Sequence, residues 1–499
     1  MQAVLAPERS APPGRPSLAW RPVLLIAAVF TALHAIASAF GGYWLDEAYM
    51  LAIGRYHLDF GYVDQPPMAP LLAGALEWLA PGVQLLPRVV MTLISATGVL
   101  LAGMLAREFG GDRRAQLLTA LAFATGTWTA LTAHWLTPYA MEVPLWMVLT
   151  WLLVRWLRLD AEDRADDRLL LAMGAVIGVT MQTKFQIALL CAALLGCVLV
   201  FGPRRLLRRP MFWAGVGIAL IIAAPTLIWQ AAHGWPQLAM GQVVTEETPS
   251  LSNGRRGMAV GGIVSAGVLG VPLLLCGIGR MLFGKDMRPY RFIAAAFLVQ
   301  YVFYVVTSGR PYYLIGMYGV LVAAGAVGLQ RRREAKTAHS SRNWSWARNW
   351  SWVRWPVGVA AVLTAGGMVW LSTVAMGDPA KPLDRTITEY TAAEYRALPA
   401  GVRERTALVT GSYVPAAMLD AHSAESGLPL ARSAHRGYGF FGPPGPQADN
   451  ILLVGKEVDE WRPLFAQTRL VRGGDIPVWL LTGREQPWPQ VWEQVRSLA

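Results

Sequence analysis

Long apolar stretches recur eleven times along the chain, near residues 20–40, 86–106, 115–134, 139–157, 169–183, 185–202, 211–231, 259–281, 291–307, 312–329 and 355–376. A spanning helix needs about 20 such residues, so the pattern predicts a mainly α, polytopic membrane bundle of about eleven spans. The fifth and sixth stretches share one run broken by Gln182-Thr183-Lys184. As a single helix that run would reach on the order of 50 Å, well beyond an apolar core of about 30 Å. Two helices with Lys184 at the turn are predicted instead. Past residue 376 the pattern changes. Strand-like runs (Ala407 to Thr410, Ile451 to Val454, Val478 to Thr482) alternate with helix-like ones (Ala416 to Glu425, Glu457 to Ala466). The chain therefore divides into a membrane domain, 1–376, and a small C-terminal α/β domain, 377–499, large enough for its own core.

Charge orients this arrangement. The formal net charge is +12, yet the segment from Asp378 onward carries 13 Lys/Arg against 14 Asp/Glu. The excess belongs to the membrane part, which argues against nucleic acid as a partner. With the N-terminus cytoplasmic, the clusters Arg113-Arg114, Arg155/Arg158, Arg204 to Arg209, Arg288/Arg291 and Arg331 to Arg333 all fall on the cytoplasmic side. The outer loops keep only Arg55, Arg88, Lys184, Arg255, Arg256 and Arg310. This asymmetry follows the positive-inside tendency and places the C-terminal domain outside. Trp20, Trp135, Trp213, Trp235 and Trp355 mark the ends of apolar runs, where amphipathic rings suit the interface. Arg15, Arg21 and Ala37-Ser38-Ala39 around the first run mimic a secretory signal. That run is long for a signal, and an uncleaved first helix is predicted. The three cysteines, Cys191, Cys197 and Cys276, lie in apolar runs and suggest packing rather than disulfides. A duplicated hexapeptide, Asn343 to Arg348 and Asn349 to Arg354, suits the anionic inner leaflet or has no role.

The first outer loop, 41–87, is the richest in chemistry. Tyr43-Trp44-Leu45-Asp46-Glu47 is followed by Arg55-Tyr56-His57 and by Gly61-Tyr62-Val63-Asp64-Gln65-Pro66-Pro67. Adjacent acids beside a span are costly near lipid. Capping of a helix N-terminus explains them as well as function does. On a helix, neighbours point about 100° apart. One carboxylate can face a site as a base while the other holds a metal, a partner or a backbone amide. Glu142, Lys184, His233 and Arg310-Pro311-Tyr312-Tyr313 fall on the same side. Singly, each reads as snorkelling or interfacial packing. Together they suggest a cleft for an anionic lipid and a polar partner.

In order, Asp46-Glu47, Gly61 to Pro67, Tyr139 to Glu142, Gly178 to Lys184, Pro225 to Trp235 and Arg310 to Tyr313 resemble the bacterial members of glycosyltransferase family 39. This group holds the protein mannosyltransferases, the lipid A aminoarabinose transferases and the rhizobial galacturonosyltransferases. Gly411-Ser-Tyr, Gly427-Leu-Pro429 and Gly442-Pro-Pro extend the likeness into the tail. The resemblance implies a GT-C fold in a bacterial cytoplasmic membrane. It also implies inverting transfer of a sugar from a polyprenyl-phosphate donor to an extracytoplasmic acceptor, whether lipid, glycan or protein. Asp46 matches the catalytic acid, proposed as general base, with Glu47 beside it. Tyr43, Asp64, Glu142, Lys184, His233, Arg310, Tyr312 and Tyr313 match positions expected to bind substrate, Lys184 and Arg310 at the donor phosphate. The resemblance leaves a divalent metal open as a cofactor, with Glu47 and His233 as its ligands here. Gln65 and Gln230 depart from the His and Asn that members often carry, which bears on metal and acceptor. A transporter or flippase of a lipid-linked envelope precursor is the alternative; it would call for mid-membrane polar groups and inverted repeats, and neither is evident.

Overall fold

The computed structural model describes residues 15–338 and 351–498, so the hexapeptide duplication lies largely outside the described residues. Among them, seven helices are long and apolar enough to cross a membrane, or eight if one sharply bent pair is a single span. They are α1 (Trp20–Ala37), α4 (Leu85–Glu108), α7 (Pro138–Ala161), α10 (Pro210–Ala232), α14 (Arg291–Val306) with the short turn before it, α15 (Tyr318–Ala338) with the turn from Pro311, and α16 (Ser351–Val374). Helices α2 (Leu45–Tyr56) and α3 (Met68–Leu79) form the first loop.

The eleven predicted segments are all helical, but not all are full spans. The stretch 115–134 breaks at Thr125-Gly126 into α5 (Arg113–Ala124) and α6 (Thr127–Thr132). Helices α8 (Arg168–Met181) and α9 (Gln186–Phe201) are separate, as the length argument requires, yet each falls short of a full apolar core. The stretch 259–281 is part of α12 (Gly254–Val264) and α13 (Gly267–Phe283), which meet at 90°. Gly267, with φ +79°, makes the corner in a region an L side chain rarely adopts. Before it, α11 (Pro236–Ser252) connects α10 to α12, with left-handed residues at both ends, Trp235 and Asn253.

Hydropathy does not tell which helices are central. The apolar window of α15 is 83% buried inside the protein and that of α7 72%, against 17% for α16 and 22% for α10. The last two leave most of their apolar surface to lipid. At the centre α13 and α15 approach backbone to backbone, since a Cβ on Gly277 would overlap the Leu321 carbonyl. Small residues permit such contacts where lipid supplies no hydrophobic drive.

One end of the bundle carries a band of ion pairs. Glu108 meets Arg15 and Arg158, Asp160 meets Arg205 and Arg209, Asp286 meets Arg280 and Arg331, and Asp112 meets Arg333. These are the residues that charge counting assigns to the cytoplasmic side, and the structure gathers them at one end. The loop between α1 and α4 lies at the other.

Beyond α16 the chain builds a five-stranded sheet in the order Arg432–Ser433, Thr406–Thr410, Asn450–Val454, Val478–Arg484, Phe465–Arg472. The first three strands are parallel and the last two antiparallel to their neighbours. The three predicted strands are present. The helix-like reading of Glu457 to Ala466 holds for the short helix Val458–Trp461 and the 3₁₀ turn Arg462–Leu464 after it; Phe465 begins the edge strand. A short apolar run cannot be assigned by periodicity alone. One face of the sheet packs Ile451, Trp461, Leu481, Trp488 and Val491 into a core. Toward the bundle, Leu408, Leu452 and the helix Tyr413–Ala421 pack with α2, which is thereby covered by membrane helices and C-terminal region alike.

Candidate active site

The site is set by the first turn of α2. Glu47 is 2% exposed and accepts from the Trp44 amide at 3.2 Å, capping the helix. Its carboxylate also takes Arg88 of α4, with Nε at 3.0 Å and Nη2 at 2.8 Å. The remaining Arg88 donors reach the carbonyls of Ser38, Phe40 and Gly42. A buried guanidinium thus ties the end of α1, the start of α2 and the start of α4 together. Trp44 adds a parallel stack on Trp135 at 4.3 Å, and its indole donates to the Tyr139 hydroxyl at 2.9 Å.

With Glu47 turned to Arg88, its neighbour Asp46, about 100° round the helix, faces a different set of groups. It lies deep in the protein but keeps partial solvent access. Burial raises its pKa above the usual carboxylate range, and Lys184, Arg436, Tyr139 and Arg310 oppose that rise. These groups come from four separate parts of the chain. Lys184, at the turn between α8 and α9, sits among three rings, its Nζ 4.8 Å from the centre of Tyr313, 5.2 Å from Tyr312 and 5.8 Å from Tyr139. Glu142 and Asp46 are its charge partners, while burial pulls its pKa down. Asp64 accepts from the Tyr49 hydroxyl at 3.3 Å and faces Arg436; burial pushes its pKa up to about 6.

Arg310 and Arg436 share one carboxylate. Glu247, on α11, pairs with Arg310 at 3.0 Å and also with Arg436. Arg436 comes from the C-terminal region, stacks over Tyr413 at 4.8 Å and holds φ at +50°. Below it, Asp384 ties that region to the loop. Its carboxylate accepts from the Tyr43 amide at 3.2 Å and pairs with His422 at 2.9 Å.

ArnT from Cupriavidus metallidurans in the apo state shares this architecture, with TM-score 0.64 and 15% identity over 92% of this chain and 97% of that one. The same protein bound to undecaprenyl phosphate gives TM-score 0.59 and 16% identity over the same shares. The chain has the GT-C fold. The Archaeoglobus fulgidus oligosaccharyltransferase, in a complex with Zn and sulfate, shares the GT-C architecture more loosely, with TM-score 0.54 and 13% identity over 87% of this chain and 68% of that one. The family model of the dolichyl-phosphate-mannose-protein mannosyltransferases matches residues 64–229, about a third of the chain. No curated protein matches significantly.

Within this GT-C frame, the residues singled out in the sequence separate. Asp46, Asp64, Glu142, Lys184, Arg310, Tyr312 and Tyr313 converge in one cluster. Three do not. Tyr43 is 5% exposed and packs against His422 and Arg88, under the site rather than in it. Glu47 is committed to Arg88 and the Trp44 amide, so it is not available to a metal. His233 is exposed and stacks on Trp229 at 4.0 Å, among other neighbours. The donors of a Glu47/His233 metal site are therefore not assembled, and no group of three His, Cys, Asp or Glu converges among the described residues. The sequence reading missed Arg436, Tyr413 and Glu247. Only the Gly411-Ser-Tyr motif hinted at any of them.

Arg88→Met leaves the Glu47 charge buried without its partner. Losing one member of such a pair costs about 3–5 kcal/mol. A lowered unfolding midpoint in detergent, larger than that of Glu47→Gln/Arg88→Met together, checks this.

Proposed function

We propose that the protein is an inverting membrane glycosyltransferase that passes a sugar from a polyprenyl-phosphate donor to an acceptor outside the cytoplasmic membrane. The observation that carries this reading is Asp46, a carboxylate with partial solvent access, set among Lys184, Arg310 and Arg436 at the end of the bundle opposite the ion-pair band. That band, rich in arginine, supports a cytoplasmic location for its end of the bundle and an extracytoplasmic one for the C-terminal region. The undecaprenyl phosphate bound by ArnT supports a lipid phosphate as the donor's carrier.

In this scheme Asp46 takes the proton of the acceptor's attacking group, and the bond from sugar to phosphate breaks on the opposite face of the anomeric carbon. The proton ends on Asp46 and the electron pair on the departing polyprenyl phosphate. Lys184, Arg310 and Arg436 receive the growing phosphate charge, for which guanidinium forks are suited. Glu142 balances Lys184, and the rings of Tyr139, Tyr312 and Tyr313 hold that ammonium in place. Glu247 stands where a phosphate would, so donor binding displaces it from the two arginines.

Asp46→Asn retains the shape and removes the base. A loss of about 10²–10⁴-fold in sugar transfer is expected, with undecaprenyl phosphate binding retained, as read by mass spectrometry of the product and by thermal shift. Transfer at the wild-type rate would overturn the proposal.

The pH profile of transfer follows from the raised pKa of Asp46. A base must be unprotonated, so activity falls as pH drops through that pKa. The acid limb is expected above the ordinary aspartate value of about 3.9. Rates measured from pH 4 upward decide the matter; a rate flat down to the ordinary range counts against this base.

Glu247→Gln removes the internal competitor while keeping its size. Undecaprenyl phosphate is expected to bind more tightly, by about 5- to 30-fold for 1–2 kcal/mol. Titration in detergent with a fluorescence or thermal readout measures it, and weaker binding would refute the competition.

A further inference from the structure

Near the Asp46 cluster lies a cavity of ≈ 260 Å³. Three distant parts of the chain wall it: the loop after α2 with His57 and Tyr62, the end of α10 with Trp229, and the C-terminal region with Phe440 and Phe441. Its rings are held by one another. His57 stacks on Phe441 at 4.0 Å, and Phe441 meets Tyr62 edge-on at 6.4 Å. Asp59 fixes Trp229, accepting from its indole at 2.7 Å. Gly61 leaves room for that indole, because a Cβ there would run into the ring.

Besides its rings the wall carries Asp59, and His233 stands on Trp229 at its edge. No Lys or Arg lines it, so it lacks the guanidinium and ammonium groups that surround Asp46. The His57 Nε2 is buried without a hydrogen-bond partner. Burial, and then Arg432, lower the pKa of this imidazole to about 4, so it is neutral at physiological pH. It contributes an uncharged aromatic face, stacked on Phe441. Aromatic walls with a few fixed polar atoms fit a molecule with apolar faces and a polar edge. A cavity of this size holds about one ring.

Its position ties it to the chemistry. Val63 and Gly437 line the cavity, and their chain neighbours Asp64 and Arg436 face Asp46. A ring bound here would hold the group attached to it against the Asp46 cluster.

The geometry points to a saccharide subsite: this aromatic cavity takes an uncharged sugar ring of the acceptor and presents the neighbouring part of the acceptor to Asp46. The inference rests on the proposed glycosyl transfer and names the acceptor as a glycan or glycolipid. An aromatic side chain of a peptide acceptor is the competing occupant.

The test uses the full chain in nanodiscs and saturation-transfer NMR. The probes are the methyl glycosides of glucose, galactose and N-acetylglucosamine, with N-acetyltryptophan amide as the peptide probe. At least one glycoside is expected to show transfer, weakened about five- to tenfold by His57→Ala and Phe441→Ala. Leu58→Trp is a second variant, placed on the cavity rim where Leu58 is 53% exposed and little of the fold depends on it. It is expected to block the glycoside signal at unchanged thermal stability. Absence of any glycoside signal, a signal unchanged in all three variants, or a signal from the tryptophan amide alone would overturn the subsite. Undecaprenyl phosphate binding, measured on the same samples, separates this failure from that of the transferase reading.

Discussion

A buried ion pair between Arg88 and Glu47 decides where Asp46 points. Two charges out of water are expensive, and their attraction repays that only when the remaining donors and acceptors are used. Here they are. Arg88 meets a carboxylate and three carbonyls, and Glu47 meets Arg88 and a backbone amide. The pair fixes the rotation of α2, and a helix rotated by about 100° per residue then carries the next carboxylate to a different wall. Adjacent acids have opposite fates for this reason: one is spent on structure, the other left to the site.

The rest of the site is assembled from elements that meet only because α2 is held between two bodies. The membrane domain supplies Lys184, Glu142, Arg310 and the tyrosines Tyr139, Tyr312 and Tyr313. The C-terminal region supplies Arg436 and Tyr413, anchored to the loop through Asp384, His422 and the Tyr43 amide. Neither half has the full set of cations. Glu247 bridges them, on a helix whose two ends turn through left-handed residues. The aromatic cavity repeats the theme, with walls from the loop, from α10 and from the C-terminal region. The outer loop is less a connection than the shared core of the working end.

Much of this was legible beforehand. Apolar runs located every membrane helix among the described residues, and the turn at Lys184 followed from the polar break Gln182-Thr183-Lys184 together with helix length. Charge asymmetry placed Arg158, Arg205, Arg209 and Arg331 together, and they do meet at one end. What failed was of another kind. Spans were counted as continuous where Gly126 and Gly267 break them, because hydropathy is indifferent to a corner. Phe465 to Arg472 was hidden because a short amphipathic edge strand has no helix-excluding signal. His233 was grouped with Asp46 by its side of the membrane, although it stacks on Trp229 elsewhere.

By itself the sequence determined a many-helix membrane protein, the grouping of its charges, and the stretch of loop in which a carboxylate would matter. Those follow from transfer of apolar surface and from helix length, which act locally along the chain. Tertiary structure alone decided which acid of the pair is free, that Arg436 joins the site from residues far downstream, and that Glu47 and His233 are kept from a common metal. Such outcomes depend on desolvation and contact between distant segments, and no local pattern encodes a distance.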